Sequence, residues 1–409
     1  MKIFSTSFVY LQKLVLKLRY LSSRRYILFV YTIFTTLLSS GNVYALSDCD
    51  PTSWPLWESF KTQFIESSGR VIAGSYPQFQ SFSEGQAYAM TFALINNDPK
   101  TFDAIWQWTL KNLMKNDIAS TLPAWTWGKN ENGKWQVLDE NSATDADLWL
   151  AYTLLEAGRL WGRKDFIANA NSILALIEKK SLVTLPGFGK ILLPGPYGFY
   201  IQPNQWKLNP SYFPIPVLRR LALNSNKSLW TEITNNTAKM IALTSPNGYV
   251  PDWIIYQSLS PITGKFVSDQ GKGDVGSYDA IRVYMWAGMT SPQDPLAFSV
   301  MKSLNGMQKY LSSNDIPPEN INTVNGETSG IGLIGFSSAL LPYLSSENQK
   351  SQLRVQASRA QSVLSSNQIL YYNYVLSLFG LGWYEGRYSF SSNGQINLNW
   401  SGICTKKTS

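Results

Sequence analysis

The sequence predicts an all-α protein, an (α/α)6 barrel of six inner and six outer helices with minor β-hairpin elements. Three observations lead there. Apolar residues recur at helical spacing along most of the chain, in about twelve segments. Segments that are apolar nearly all round alternate with amphipathic ones, as buried helices alternating with surface helices would. No long Pro/Gly/Ser linker and no shift of composition divides them. In such a double ring the inner helices run parallel, so their N-termini open at one mouth.

The segments start near Ser53, Phe82, Pro99, Asp145, Lys164, Pro210, Lys227, Tyr278, Pro295, Gly330, Glu347 and Ile369. Those starting near 82, 145, 210, 278, 330 and 369 are rich in Gly, Ala, Ser and aromatics and carry few charges beyond their first turn. The others are amphipathic. "TFDAIWQWTLKNLM" puts Phe102, Ile105, Trp106 and Leu110 on one face, after the start signal "NNDPK". "RKDFIANANSILALIEKK" does the same with Phe166, Ala170, Ile173 and Ile177. Alternating strands are scarce. The best are "KILLPG" and a C-terminal hairpin, "RYSFSSNGQINLNW", turning at Asn393-Gly394.

The chain has 409 residues, with 44% hydrophobic and 14% aromatic content, so a sizeable core is expected. Its 15 Trp and 22 Tyr exceed what that core needs and suggest a surface for stacking flat ligands such as sugar rings or bases. Residues 1–45 read as an export signal: Arg24-Arg25, the apolar run "YILFVYTIFTTLL", then "SSGNVYA" with Val43 and Ala45 fitting small-residue cleavage. An uncleaved anchor is the other reading of that segment. Residues 46–409 then form a single domain, periplasmic or secreted. The formal charge of +8 comes mostly from the leader, which holds 6 of the 35 basic residues and none of the 27 acidic ones. The remainder carries no long basic run, which argues against nucleic acid as the ligand. Cys49 and Cys404, near the ends of the mature chain, could form one disulfide in an oxidising compartment or remain two thiols. The chain has no His, which excludes His-based triads and His-based zinc sites. No metal or cofactor motif is present, so the chemistry falls to carboxylates, Tyr, Lys, Arg or Ser. "GKGDVGS" lacks the phosphate-loop pattern and reads as a loop.

The starts of the predicted inner helices carry a recurring set of side chains. "SFSEGQAYAM" supplies Glu84, "SATDADLW" supplies Asp145 and Asp147, "NPSYFP" supplies Tyr212, and "GSYDAIRVYMW" supplies Tyr278, Asp279 and Arg282. Each has a plain reading. Ser81 with Glu84 makes a capping box, the two aspartates favour a helix N-terminus, and Arg282 can pair with Asp279 three residues back. The catalytic reading takes them together. Glycoside hydrolysis needs two carboxyl groups flanking the bond, one protonated and one to activate water or attack. Trp125, Trp127, Trp206 and Trp253 are candidate sugar platforms or core residues.

On these residues the sequence resembles glycoside hydrolase family 8. The motifs are "WESF", "SGRVI", "SEGQAYAMTFAL", "LPAWTWGK", "SATDADLWLAYTLLEAGRLW", "NPSYFP", "PDW", "SYDAIRVYMWAGM", "GFSSALLPYL" and "YYNYVLSLFG". They lie between Trp57 and Gly380 in a likeness that extends from about Trp54 to Trp400, and "ATDADLWLAY" departs from the family signature only at Leu150, where Ile or Met is usual. Within the family the likeness is to the periplasmic cellulases encoded alongside bacterial cellulose synthase. The resemblance implies the (α/α)6 barrel, no cofactor, and an inverting endo-β-1,4-glucanase acting on a β-1,4-glucan chain. It makes Glu84 the general acid, Asp279 the general base and Asp145 the acid that grips a distorted sugar ring. Tyr278 and Arg282 flank the base; Trp127, Tyr212 and Tyr372 contact sugar; Asp147 supports the site. It also implies a functional link to cellulose synthase and roughly 6.5–9.5 Å between the two catalytic carboxyls. Xylanase or mixed-linkage glucanase activity, or a non-catalytic glucan-binding or export role, are the alternatives.

Overall fold

The structure, a computed structural model, describes residues 53–75, 77–366 and 369–401. The expected leader, 1–45, and both cysteines, Cys49 and Cys404, lie outside the described residues. The described chain is mostly helical. In order the helices are α1 (Pro55–Phe64), α2 (Ser83–Ile95), α3 (Pro99–Asn112), α4 (Thr144–Trp161), α5 (Lys164–Lys180), α6 (Ile215–Leu221) and α7 (Lys227–Thr244). Then follow α8 (Ala280–Met289), α9 (Ala297–Ser303), α10 (Asn305–Leu311), α11 (Ile334–Ser346), α12 (Lys350–Gln361) and α13 (Tyr371–Tyr384).

Local signals account for several boundaries. Pro55 and Pro99 occupy first-turn positions where a missing N–H costs nothing. Asp98 accepts the Thr101 amide at 3.1 Å, and Asn226 accepts that of Leu229 at 3.1 Å. Gly162, at φ 70°, ends α4 in the left-handed conformation that glycine adopts without strain.

Burial sorts the helices as their composition implies. In α2 every residue except Glu84 is buried, and in α4 so are the first fifteen. The amphipathic helices bury one face each: Phe102, Ile105 and Trp106 in α3, and Phe166, Ala170, Ile173 and Ile177 in α5. Contacts among the buried helices close on themselves. Helix α2 packs on α4, α4 on α6, α6 on α8, α8 on α11, α11 on α13, and α13 returns to α2. Each also carries an amphipathic neighbour: α3 on α2, α5 on α4, α7 on α6, α9 on α8, α12 on α11 and α1 on α13. One continuous core runs through them, with Trp149, Trp286 and Phe379 in mutual ring contact at 5.1–5.3 Å.

The structure departs from the sequence reading at three places. The segment predicted from Pro295 is two helices, because Leu304 leaves helical geometry and brings Gly306 N–H onto the Gly248 carbonyl at 3.1 Å. The segment predicted from Gly330 starts at Ile334, since Asn320–Asn322 and Thr328–Ser329 pair as strands before it. Strand content is also larger than expected. The C-terminal hairpin is present, Tyr388–Phe390 against Ile396–Leu398, and "KIL" falls in the strand Gly189–Leu192 paired with Leu182–Leu185. Ser81–Phe82, Thr126–Lys129 and Trp135–Asp139 form a further sheet. A four-stranded one joins Tyr200–Gln202, Gln205–Leu208, Ile254–Ser260 and Thr263–Ser268. These strands are short, partly exposed and interrupted by register shifts, so they carry little period-two signal. Among the described residues no helix is long and apolar enough to cross a membrane.

Two glycines allow the buried helices to touch backbone to backbone. A Cβ on Gly288 of α8 would lie 2.2 Å from the Tyr343 nitrogen, and one on Gly380 of α13 would lie 1.9 Å from the Ser338 carbonyl oxygen. Both neighbours are backbone of α11, which cannot rotate away. Gly288→Ala and Gly380→Ala are each expected to destabilise the fold by about 1–3 kcal/mol or more, despite the better helix propensity of Ala. Chemical denaturation, compared with wild type, measures the loss.

Candidate active site

The N-termini of α2, α4, α8 and α13 meet at one end of the helix assembly. A cavity of about 170 Å³ opens there, with Glu84, Trp125, Arg282, Tyr371 and Tyr372 around it and Met285, Trp286 and Phe379 as its apolar wall. Asp145 and Asp279 are close enough that their charges act on one another and on Arg282.

Glu84 is the second residue of α2. The capping box expected with Ser81 does not form. Ser81 lies in a strand, where its hydroxyl accepts the Arg70 Nε at 2.8 Å, and the helix starts only at Ser83. Glu84 is thereby free to face the cavity. Its Oε1 accepts the Trp125 indole N–H at 3.1 Å and its Oε2 the Ser83 hydroxyl at 3.3 Å. Burial raises its carboxyl above the usual range, against these hydrogen bonds and the Arg282 charge.

Asp145 and Asp147 sit in the first turn of α4, both fully enclosed. Neither is the N-cap, which is Ala143. Asp145 Oδ1 accepts the adjacent Ala146 amide at 2.9 Å, so it satisfies a first-turn donor while lying at the site. Burial, and then the charge of Glu84, push its carboxyl up to about 8. Glu84 and Asp145 are thus a coupled pair that retains a proton near neutrality, in the way that like charges in a shared low-dielectric site do. Asp147 is held well above the carboxylate range by burial, and neither of its oxygens meets a hydrogen-bond partner among the described residues. The Ser142 hydroxyl is near enough to favour its charged form without reaching hydrogen-bond geometry.

Asp279 lies at the N-cap position of α8 but does not cap it with its side chain. Its Oδ1 accepts Arg282 Nη2 at 2.6 Å. The same nitrogen donates to the Ser211 hydroxyl at 2.8 Å. Ser211 is fixed in turn: Asn209 Oδ1 accepts both its amide and its hydroxyl, and Trp286 donates to its carbonyl at 3.1 Å. Tyr212, in the short 3-10 helix Pro210–Tyr212, places its ring 5.9 Å from the Arg282 guanidinium. Tyr278 is exposed, donates to Glu319 at 2.6 Å, and receives the Tyr372 hydroxyl on its backbone carbonyl. The structure therefore brings together Glu84, Asp145, Tyr212, Asp279, Arg282, Tyr278 and Tyr372.

The candidate tryptophans differ in their surroundings. Trp125, 40% exposed, faces the cavity and holds Glu84. Trp127 does not line it. One face of its ring stacks on Trp135 at 4.9 Å, Trp108 meets it at a right angle, and the Arg70 guanidinium lies beside the stacked pair. Trp253 stacks on Phe199 at 6.0 Å with an interplanar angle of 1° and lies edge-on to Tyr212. Trp206 packs between Tyr200 and Tyr256, away from the cavity.

Three residues absent from the sequence-level set belong to this site. Tyr88 and Tyr371 line the cavity, and the Tyr371 hydroxyl has no partner among the described residues. Asp252 accepts three amides of the segment that enters α8. "PDW" marks Asp252 as a motif residue, but no local capping rule links it to a helix 28 residues on.

Enclosed carboxyls that keep a proton, a second carboxylate tied to arginine, and aromatic side chains around both define a hydrolase site of the carbohydrate-active class. Comparison with known proteins narrows this. Residues 31–386 match the family description "Glycosyl hydrolases family 8". The chain is 42% identical over 366 residues to an endoglucanase of Xanthomonas axonopodis pv. citri (strain 306), covering 89% of this chain and 93% of that protein. It is 40% identical over 358 residues to an endoglucanase of Escherichia coli (strain K12), covering 86% and 93%. The crystal structure of an endo-1,4-D-glucanase from Vibrio fischeri ES114 superposes with a TM-score of 0.78 at 39% identity, covering 85% of this chain and 99% of that one. The chain belongs to glycoside hydrolase family 8, and it is a glycoside hydrolase.

The raised carboxyl of Asp145 links site and stability. An unfolded Asp titrates near 3.9, so between about 4 and 8 the folded chain binds the extra proton. The stability tied to that proton is present at acid pH and lost as pH rises toward 8. The Tm is expected to fall from pH 5 to pH 8. Asp145→Asn, which has no proton to lose, flattens that slope and raises Tm at pH 8 by roughly 2–4 °C per kcal/mol recovered. Calorimetry across the pH series measures both.

Proposed function

We propose that the protein is an inverting endo-β-1,4-glucanase whose substrate is a cellulose-type glucan chain. The observation that carries this reading is the pair of unlike carboxyls at the mouth. Glu84 is desolvated and coupled to Asp145, whereas Asp279 is bound to Arg282 on a different helix. A general acid must hold a proton and a general base must not, and environments of these two kinds separate those roles. The endoglucanase relatives support the substrate class.

In this reading the glucan lies across the mouth. Glu84 donates its proton to the departing glycosidic oxygen. Asp279 takes a proton from a water on the opposite face of the sugar ring. Asp145 grips the ring at the cleavage point, Arg282 positions Asp279 through their hydrogen bond, and Asp147 supports the first turn of α4. Tyr212, Tyr278 and Tyr372 contact sugar. Trp125 and Trp127 contact sugar, Trp125 from beside Glu84. Inversion calls for a carboxyl separation of roughly 6.5–9.5 Å, room for that water.

The closed sequence of buried-helix contacts, each with an amphipathic partner outside, supports an (α/α)6 barrel. The basic, apolar and small-residue order of residues 1–45 supports export to the periplasm or beyond, followed by a single catalytic domain, with Cys49 and Cys404 forming a disulfide there. A functional link to cellulose synthesis rests on family likeness, an analogy between folds and not an argument from the site.

Glu84→Gln is expected to lower kcat on carboxymethylcellulose by about 10²–10⁴-fold with little change in oligosaccharide binding, the scale of a lost general acid. Near wild-type turnover would remove Glu84 from that role. Product analysis on carboxymethylcellulose, xylan and chitosan, with the first-formed anomer read by NMR, tests substrate and stereochemistry. Expected are cleavage of the glucan and an α-anomeric product. A β-anomer as first product would refute inversion.

A further inference from the structure

Asp252 precedes the strand Ile254–Ser260 and is remote in sequence from α8, yet it is bonded to the start of that helix. Its Oδ1 accepts the Ser277 amide at 2.8 Å, the Asp279 amide at 3.1 Å and the Ala280 amide at 2.7 Å. Its own amide donates to the Val275 carbonyl at 2.8 Å. The two segments are in backbone contact, since a Cβ on Gly276 would lie 2.3 Å from the Val250 carbonyl oxygen. One carboxylate oxygen thus does the work that the side chain of Asp279 does not: it satisfies orphan N–H groups at the N-terminus of α8.

Three amides on one oxygen are more than a cap needs. They hold Asp279 from both sides, and the amide of Asp279 itself is among them. We infer that Asp252 is the positioning residue for Asp279: it clamps the backbone from Ser277 to Ala280, and its charge bears on the Asp279 carboxylate. The inference rests on the proposed role of Asp279 as general base.

The groups that act on Asp252 electrostatically are Asp279 and Arg282, and Asp252 acts in turn on Tyr372. Burial first, and then the Asp279 charge, push the Asp252 carboxyl up to about 6, while the three amides and Arg282 oppose this. Above that pH Asp252 is an anion close to a second anion. The charge of Asp252 therefore bears on the proton transfer proposed at Asp279. Below it, the clamp oxygen belongs to a neutral acid and its hydrogen bonds to the amides weaken.

Two variants separate the clamp from the charge. Asp252→Ala removes both. It is expected to expose the Ser277, Asp279 and Ala280 amides to hydrogen exchange and to lower kcat by about a hundredfold, the scale of a misplacement of about 1 Å. The Kd for cellotetraose stays within about twofold, because the clamp acts on the reacting group and not on the sugar contacts. Asp252→Asn keeps Oδ1 as acceptor and loses the charge. It is expected to restore amide protection and most of kcat, and to move the acid limb of kcat/KM to lower pH. Wild-type exchange and kcat in Asp252→Ala, or an unmoved acid limb in Asp252→Asn, would overturn the inference. Carboxyl NMR of Asp279→Asn distinguishes this from a failure of the base assignment. If Asp252 and Asp279 face one another, the Asp252 titration drops below about 6 in that variant whether or not it retains activity. An unchanged titration overturns the coupling; retained activity overturns only the role of Asp279 as base.

Discussion

The mouth depends on the ion pair between Arg282 and Asp279. Glu84, Asp145, Asp252 and Asp279 crowd one desolvated region, and the Arg282 charge acts on all four. A guanidinium cannot give up its proton, so it is a fixed cation against which the acids sort themselves. Asp279 takes the direct hydrogen bond. Glu84 and Asp145 feel the same cation only at a distance, and the burial they share keeps a proton on the pair. The unequal placement of one cation thus turns similar side chains into unlike chemical groups.

That arrangement needs rigid supports, and each is long-range. Arg282 is steadied by Ser211, which Asn209 and Trp286 fix. Glu84 is steadied by Trp125, which enters the middle strand of a three-stranded sheet, and Asp279 by the amides that Asp252 holds. The strands and turns around the mouth serve to bring these partners to the helix ends. Below them the core is assembled for closeness, with glycines where α8 and α13 touch α11. A tight apolar base and a mouth of unevenly satisfied acids suit a fold in which stability is supplied by one region and spent in the other.

Much of the helical framework is legible in the sequence, because burial on one side or on all sides leaves a periodic trace. The starts of α3, α5 and α7 coincide with the predicted Pro99, Lys164 and Lys227, and for α3 and α7 a capping side chain also marks the boundary. The carboxyls are legible as residues, since acids at the head of an apolar helix are conspicuous. Their local readings fail where a distant partner competes. Ser81 is taken by Arg70 and not by Glu84.

The sequence by itself determined the helical class and the alternation of buried and amphipathic helices, which composition and short-range periodicity encode, and its motifs carried the family resemblance and the carboxylate chemistry it implies. Tertiary structure alone decided which acid holds a proton, which tryptophan meets the cavity and which residue caps α8. A pKa depends on charges and burial within a few ångströms in space, and Asp252 reaches Ala280 across 28 positions of chain. No reading of neighbours along the sequence contains that distance.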